Sequence, residues 1–173
     1  MKILFHCWEY PPLGSGIGTY VGQMAHALGE AGHSVVIATS AGDGVAQQEE
    51  TPWGSVHRCY SFDEIGSARV RDVVLGLARE HRVDLIEGVD HLGESAPLLT
   101  ERNRPPVLVK CHYNDVLSTP RYAQARYLWQ RPAIAGACWR VRDRIVRERR
   151  SIEGADTLVT PCRRMLDEIR REG

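Results

Sequence analysis

The chain has 173 residues, 43% hydrophobic and 25% charged, a length and composition that fit one soluble domain with a sizeable core. Its 22 basic residues balance its 22 acidic ones, so no net field draws it to nucleic acid. No apolar run approaches the roughly 18 residues of a membrane span, and the opening MKILFHCWEY lacks a signal peptide's long apolar region and cleavage site, which leads us to expect a cytoplasmic protein.

Residues 2–7, KILFHC, form a short apolar run that predicts a buried first strand. The loop WEYPPLGSG follows, where Pro11 and Pro12 exclude helix and central strand. From Ile17 to Ala31, apolar residues Ile17, Tyr20, Val21, Met24, Leu28 and Ala31 recur at helical spacing, and Gly32 ends the helix. SVVIAT, 34–39, is a β-branched second strand, and a polar stretch then runs to about Gly54. Residues 55–60 predict a weaker third strand. Val70, Val73, Val74, Leu77 and His81 mark the next helix, and DLIE, 84–87, the fourth strand. Residues 94–103 are predicted helical. PVLVKC, 106–111, is a fifth strand after the turn signal RNRPP. Residues 121–152 read as one or two helices, 156–160 as the last strand and 162–171 as the last helix.

This alternation predicts a Rossmann-like, doubly wound parallel sheet of order 3-2-1-4-5-6 with helices on both faces. In such sheets ligands bind outside the carboxyl ends of the strands. The segments to inspect are therefore 8–18, 88–95 and 112–115. Glycines in GSGIG, 14–18, permit a phosphate to approach the backbone at a helix N-terminus, and they equally permit close helix–strand packing. A dinucleotide fingerprint fits poorly. The glycines come about six residues after the strand, and strand two ends in Thr39-Ser40 rather than an acidic residue. The five cysteines are dispersed and form no C-x-x-C pair, so they predict neither a disulfide framework nor a thiolate zinc site. Asp90, His91 and Glu94 cluster after strand four; an acceptor-hydroxyl contact, a solvated loop and a metal site are the readings, the metal having only spacing behind it. Tyr20 lies on the apolar helix stripe and reads as core, and His6 as buried. The remaining histidines outside the loops read as structural or exposed.

The run EYPPLGSGIGTYVGQMAHALGEAGHSVVIAT resembles the opening of the retaining, family-4-type GT-B glycosyltransferases of the glycosyl transferases group 1 superfamily. That superfamily includes sucrose, glycogen and phosphatidylinositol-mannose synthases. IEGVDHLGES resembles the family's loop after strand four, LVKCHYND its fifth strand with a functional histidine, and ERRSIEGADTLVTPCRRMLDEI the end of its first domain. The resemblance spans essentially the whole chain. It implies the N-terminal half of a GT-B fold, residues 1–173 forming a single acceptor-side domain whose C-terminal donor-binding domain, with its paired-glutamate motif, is absent. It implies transfer of a hexosyl group from a nucleoside-diphosphate sugar with retention, no cofactor and no metal, and no activity for this half alone. His112 would orient substrate. Gly14, Ser15, Gly16, Ile17 and Gly18 would face the donor phosphates, and Tyr10, Asp90, His91, Glu94, Tyr113 and Asn114 would line the acceptor site. The acceptor would be a sugar, a lipid or another small molecule. The arginine-rich 121–150, with Tyr122, Tyr127, Trp129 and Trp139, reads as an interfacial helix at the inner membrane face, a phosphorylated-acceptor site or a solvated helix. The alternatives for the whole chain are a non-catalytic sugar- or nucleotide-binding subunit and a free-standing nucleotide-cofactor enzyme.

Overall fold

In the computed structural model, residues 1–13, 16–112 and 131–172 are described, with side chains set aside for 131–141 and 172. Gly14, Ser15, Tyr113 and Asn114, and the stretch 121–130, lie outside the described residues.

The sheet has seven described strands: β1 (Lys2–His6), β2 (Ser34–Ser40), β3 (Gln48–Thr51), β4 (Gly54–Tyr60), β5 (Leu85–Val89), β6 (Val107–Lys110) and β7 (Thr157–Val159). Their spatial order is β3-β4-β2-β1-β5-β6-β7. Every pair is parallel except β3 with β4. Without β3 this is the 3-2-1-4-5-6 order that the sequence predicts. The antiparallel β3 is an addition inside the stretch read as a polar loop. Its residues, QEET, carry no apolar signal because the strand is an exposed edge.

The described helices are α1 (Gly16–Glu30), α2 (Ala68–Glu80), α3 (Arg131–Gly154) and α4 (Arg163–Glu172). Alternate strand residues feed two cores, as the period of two requires. Ile3, Phe5, Val35, Ile37 and Val56 pack with Val21 and Ala25 of α1. Leu4, Val36, Ile86, Val107 and Val109 pack with Val70, Val74 and Ala78 of α2 on the other face. Ser67 caps α2 by accepting the Val70 N–H at 3.3 Å.

The predicted helix over 94–103 is corrected: within it the chain makes one 3-10 turn, Leu98–Thr100, and another, His91–Gly93, precedes it. The preceding turn needs positive φ at Leu92 (58°) and Gly93 (67°), which breaks helical geometry. Ser95 is drawn inward, donating to the Val89 carbonyl at 3.0 Å. It sits over Gly88, where a Cβ would come within 2.1 Å of its hydroxyl oxygen. No described helix is long and apolar enough to cross a membrane.

Candidate active site

The strand order reverses between β1 and β5, and the crevice outside their carboxyl ends is where this fold class holds ligands. Three segments converge there: the loop after β1, the turns after β5 and the end of β6.

His112 lies two residues beyond the end of β6. Its backbone N–H donates to Asp90 Oδ1 at 3.0 Å, while the Asp90 N–H donates to the Lys110 carbonyl at 3.2 Å. Asp90 is wholly buried, so the two predicted residues share one latch across β5 and β6. The His112 ring meets the Tyr20 ring edge-on, centroids 4.9 Å apart. Its Nε2 is buried and has no hydrogen-bond partner among the described residues. Burial, joined by the charges of Lys110 and His91 and opposed by Asp90, lowers its pKa and favours the neutral imidazole.

Tyr20 proves more than a core residue. Its hydroxyl donates to Glu87 Oε1 at 2.8 Å, and Lys110 Nζ lies 5.3 Å from its ring centroid. Glu87 and Lys110 project from neighbouring strands onto the α1 face, so α1, β5 and β6 jointly hold the His112 ring. Burial raises the Glu87 pKa, with Tyr20 and Lys110 opposing.

The two glycines in the first turn of α1, Gly16 and Gly18, serve different ends. At Gly18 a Cβ would lie 2.9 Å from the Glu9 carbonyl oxygen, so glycine there permits the loop after β1 to rest on the helix. At Gly16 an added Cβ meets nothing within 4 Å. Ile17 packs against the α1-face core, and Tyr10 packs there too, its ring near Gly22. The loop is also held from β2: Thr39 and Ser40 donate their hydroxyls to the Trp8 carbonyl at 3.2 and 2.6 Å.

Glu94 differs from the surface contact its loop position suggests. It is 1% exposed, and its Oε2 lies 4.0 Å from His6 Nε2. Neither carboxyl oxygen makes a hydrogen bond of ordinary geometry with a described group, nor do the His6 ring nitrogens, Tyr60 OH or Trp8 Nε1. Burial drives Glu94 well above the carboxylate range, the Trp8 N–H pulling it partly back. Burial lowers His6 to about 4. Burial thus works against charge on both members of the pair. His91 is half-buried at the rim.

Helix α3 fixes the turn that carries these groups. Glu148, wholly buried, accepts the Leu92 N–H at 3.1 Å, and Arg147 Nε donates to the Leu92 carbonyl at 3.4 Å. A cavity of about 410 Å³ opens at this junction, lined by Phe62, Ile65, Leu92, Asp143, Arg144 and Arg147 among others. Sequence reasoning missed Arg147 and Glu148, because an arginine-rich helix reads as solvated. No group of three or more potential metal ligands is brought together among the described residues.

The mostly parallel, doubly wound sheet is that of a Rossmann-like half of a GT-B fold. Residues 15–173 match the glycosyl transferase 4-like domain, and the chain belongs to that family. A solved structure of similar fold is the sucrose-phosphate synthase from Thermosynechococcus elongatus, at 17% identity and a TM-score of 0.71. The alignment covers 98% of this chain and 44% of that one, so the chain spans less than half the length of that synthase. No curated protein sequence matches the chain significantly.

Proposed function

We propose that this chain is the acceptor-side half of an enzyme that transfers a hexosyl group from a nucleoside-diphosphate sugar with retention, and that a C-terminal domain completes the donor site. The observation that carries the reading is His112. Its Nε2 is buried and unpartnered among the described residues, and its ring rests on Tyr20, one helical turn from the N-terminus of α1.

A retaining transfer passes through an oxocarbenium-like state while negative charge builds on the departing diphosphate. The start of α1, from Gly16 to Gly18, offers a dipole and N–H groups toward that charge, and such preorganised donors act where charge develops. The neutral His112 imidazole donates or accepts a hydrogen bond to a sugar hydroxyl, orienting the substrate without becoming a nucleophile. Asp90 holds the histidine's backbone, so the ring's position is set before substrate arrives. The acceptor would approach over His91 and the turns after β5. Transfer by this half alone is not expected, since nothing in this reading grips the donor's nucleotide. The arginine-rich helix leaves contact with an anionic lipid or phosphorylated acceptor as a further expectation. A liposome flotation assay that leaves the protein in the supernatant would remove its lipid form.

Gly16→Val in the full-length enzyme tests the reading. Gly16 is exposed and a Cβ added there meets nothing within 4 Å, so folding should be retained, with Tm as the check. Turnover should fall roughly a hundredfold or more, because the valine side chain keeps the diphosphate away from the backbone N–H groups, with an effect like that of losing an oxyanion-type donor. Wild-type turnover with a correctly folded variant would take the glycine loop out of the mechanism.

A further inference from the structure

Arg58 lies on β4, away from every motif that points to the crevice, and its side chain is only 4% exposed. A buried guanidinium needs partners, and this one has three from three segments. Nη1 donates to the Ala46 carbonyl at 3.1 Å. Nη2 donates to the Pro11 carbonyl at 2.9 Å and to Glu49 Oε2 at 3.1 Å. Its backbone N–H also donates to the Gln47 carbonyl at 2.7 Å.

The Pro11 contact matters because of the loop's chemistry. Pro11 and Pro12 have no N–H, so this stretch of the loop can be tied down only through its carbonyls. The loop is anchored upstream, where Trp8 accepts the Thr39 and Ser40 hydroxyls and Glu9 abuts Gly18. Arg58 supplies the tie at Pro11, five residues before Gly16. The edge hairpin β3–β4 therefore reaches across the sheet end to hold at Pro11 the same loop that rests on Gly18 of α1 through Glu9. Glu49 and the Ala46 carbonyl hold the guanidinium plane in turn, so the hairpin acts as a brace.

We propose that Arg58 is a positioning residue for sugar transfer: through the Pro11 carbonyl it fixes the loop that presents the first turn of α1 to the donor diphosphate. The inference rests on the glycine-loop reading given above. Arginine is required because its planar fork reaches three acceptors at once, which a lysine ammonium cannot match in the same geometry.

The test is Arg58→Lys and Arg58→Ala in the full-length enzyme, with Asp156→Asn as a control for lost stability at the opposite end of the sheet. Each is measured for kcat, KM and Tm, and for hydrogen exchange of the amides in 16–20. Misplacing a catalytic element by about 1 Å can cost a hundredfold. Arg58→Lys should lower kcat roughly ten- to a hundredfold with acceptor KM little changed, and speed exchange in 16–20. Added guanidinium ion should restore part of the activity of Arg58→Ala where methylammonium does not. Asp156→Asn should lower Tm and leave kcat per folded molecule unchanged. If Arg58→Ala does not fold, the lysine variant alone decides. Wild-type kcat in Arg58→Lys while Gly16→Val is crippled would overturn the role of Arg58 and leave the loop reading standing. Wild-type kcat in both would overturn the two together.

Discussion

Replacing His6 by leucine should flatten the acid side of this chain's stability profile. His6 ends the central strand β1, is 1% exposed, and has no hydrogen bond on either ring nitrogen among the described residues. Burial lowers its pKa from 6.5 to about 4. The folded state thus holds the neutral ring, while the unfolded chain protonates at the ordinary value. A depressed folded pKa gives stability that is complete above the unfolded value and is lost as pH falls through the window from 6.5 to about 4. The shift corresponds to roughly 3 kcal/mol across that window. Glu94, 4.0 Å away, works in the opposite sense. Burial raises its pKa, so its contribution is present at low pH and lost as pH rises. Because Glu94 stands in both proteins, the difference between wild type and His6→Leu isolates the histidine. Leucine of similar volume removes two unpaired nitrogens, so the variant should match or exceed the wild type at pH 7. Urea unfolding at pH 7 and at about pH 4.5, with equal m-values, should show the gap moving by roughly 2–3 kcal/mol in favour of leucine. Parallel profiles would refute the reasoning, for they would mean that the folded ring takes its proton as readily as the unfolded one.

The strands of the parallel sheet were legible because they are buried on both faces. Runs such as SVVIAT need no alternation when each face meets a helix. What was illegible is what tertiary contact creates. β3 has no apolar residue to announce it and exists through its pairing with β4. Arg58 alternates with Val56 and Tyr60 in GSVHRCY, a register in which a charge looks out of place, and its carbonyl and carboxylate partners at Pro11, Ala46 and Glu49 come from other parts of the chain. At the site, His112 and Asp90 could be found because each lies within two residues of a strand end. Glu94 could be placed near the crevice, but whether an acidic loop residue turns outward or inward depends on Ser95, Gly93 and the seat of α3, none of which a local pattern encodes. Helical periodicity assigned Tyr20 to the core because a tyrosine at the margin of an apolar stripe looks the same whether its hydroxyl meets water or Glu87.

The contact between α3 and the turn after β5 predicts a large effect of Gly93→Ala. The new Cβ would lie 2.3 Å from Arg147 Cβ and 2.6 Å from its carbonyl carbon, at a φ of 67°. Left-handed strain and forced separation together should cost about 2–4 kcal/mol, a Tm loss of roughly 5–15 °C by calorimetry, and an unchanged Tm would mean that α3 does not sit on this turn. Tyr20 separates two roles in one side chain. Tyr20→Phe removes the hydroxyl that donates to Glu87 at 2.8 Å, at a cost of about 1–2 kcal/mol, yet keeps the ring edge against His112. Tyr20→Ala removes both. If the ring is what positions His112, the phenylalanine variant should lose stability while its turnover in the full-length enzyme stays within about threefold of wild type, and the alanine variant should lose roughly tenfold or more. The His112 ring-proton resonances report the same distinction without activity: they should hold their position in Tyr20→Phe and move in Tyr20→Ala as the neighbouring ring current disappears. Equal turnover losses in the two variants would place the effect in the hydroxyl and its half-buried carboxylate partner. Glu87, not the aromatic edge, would then be the group through which α1 acts on the site.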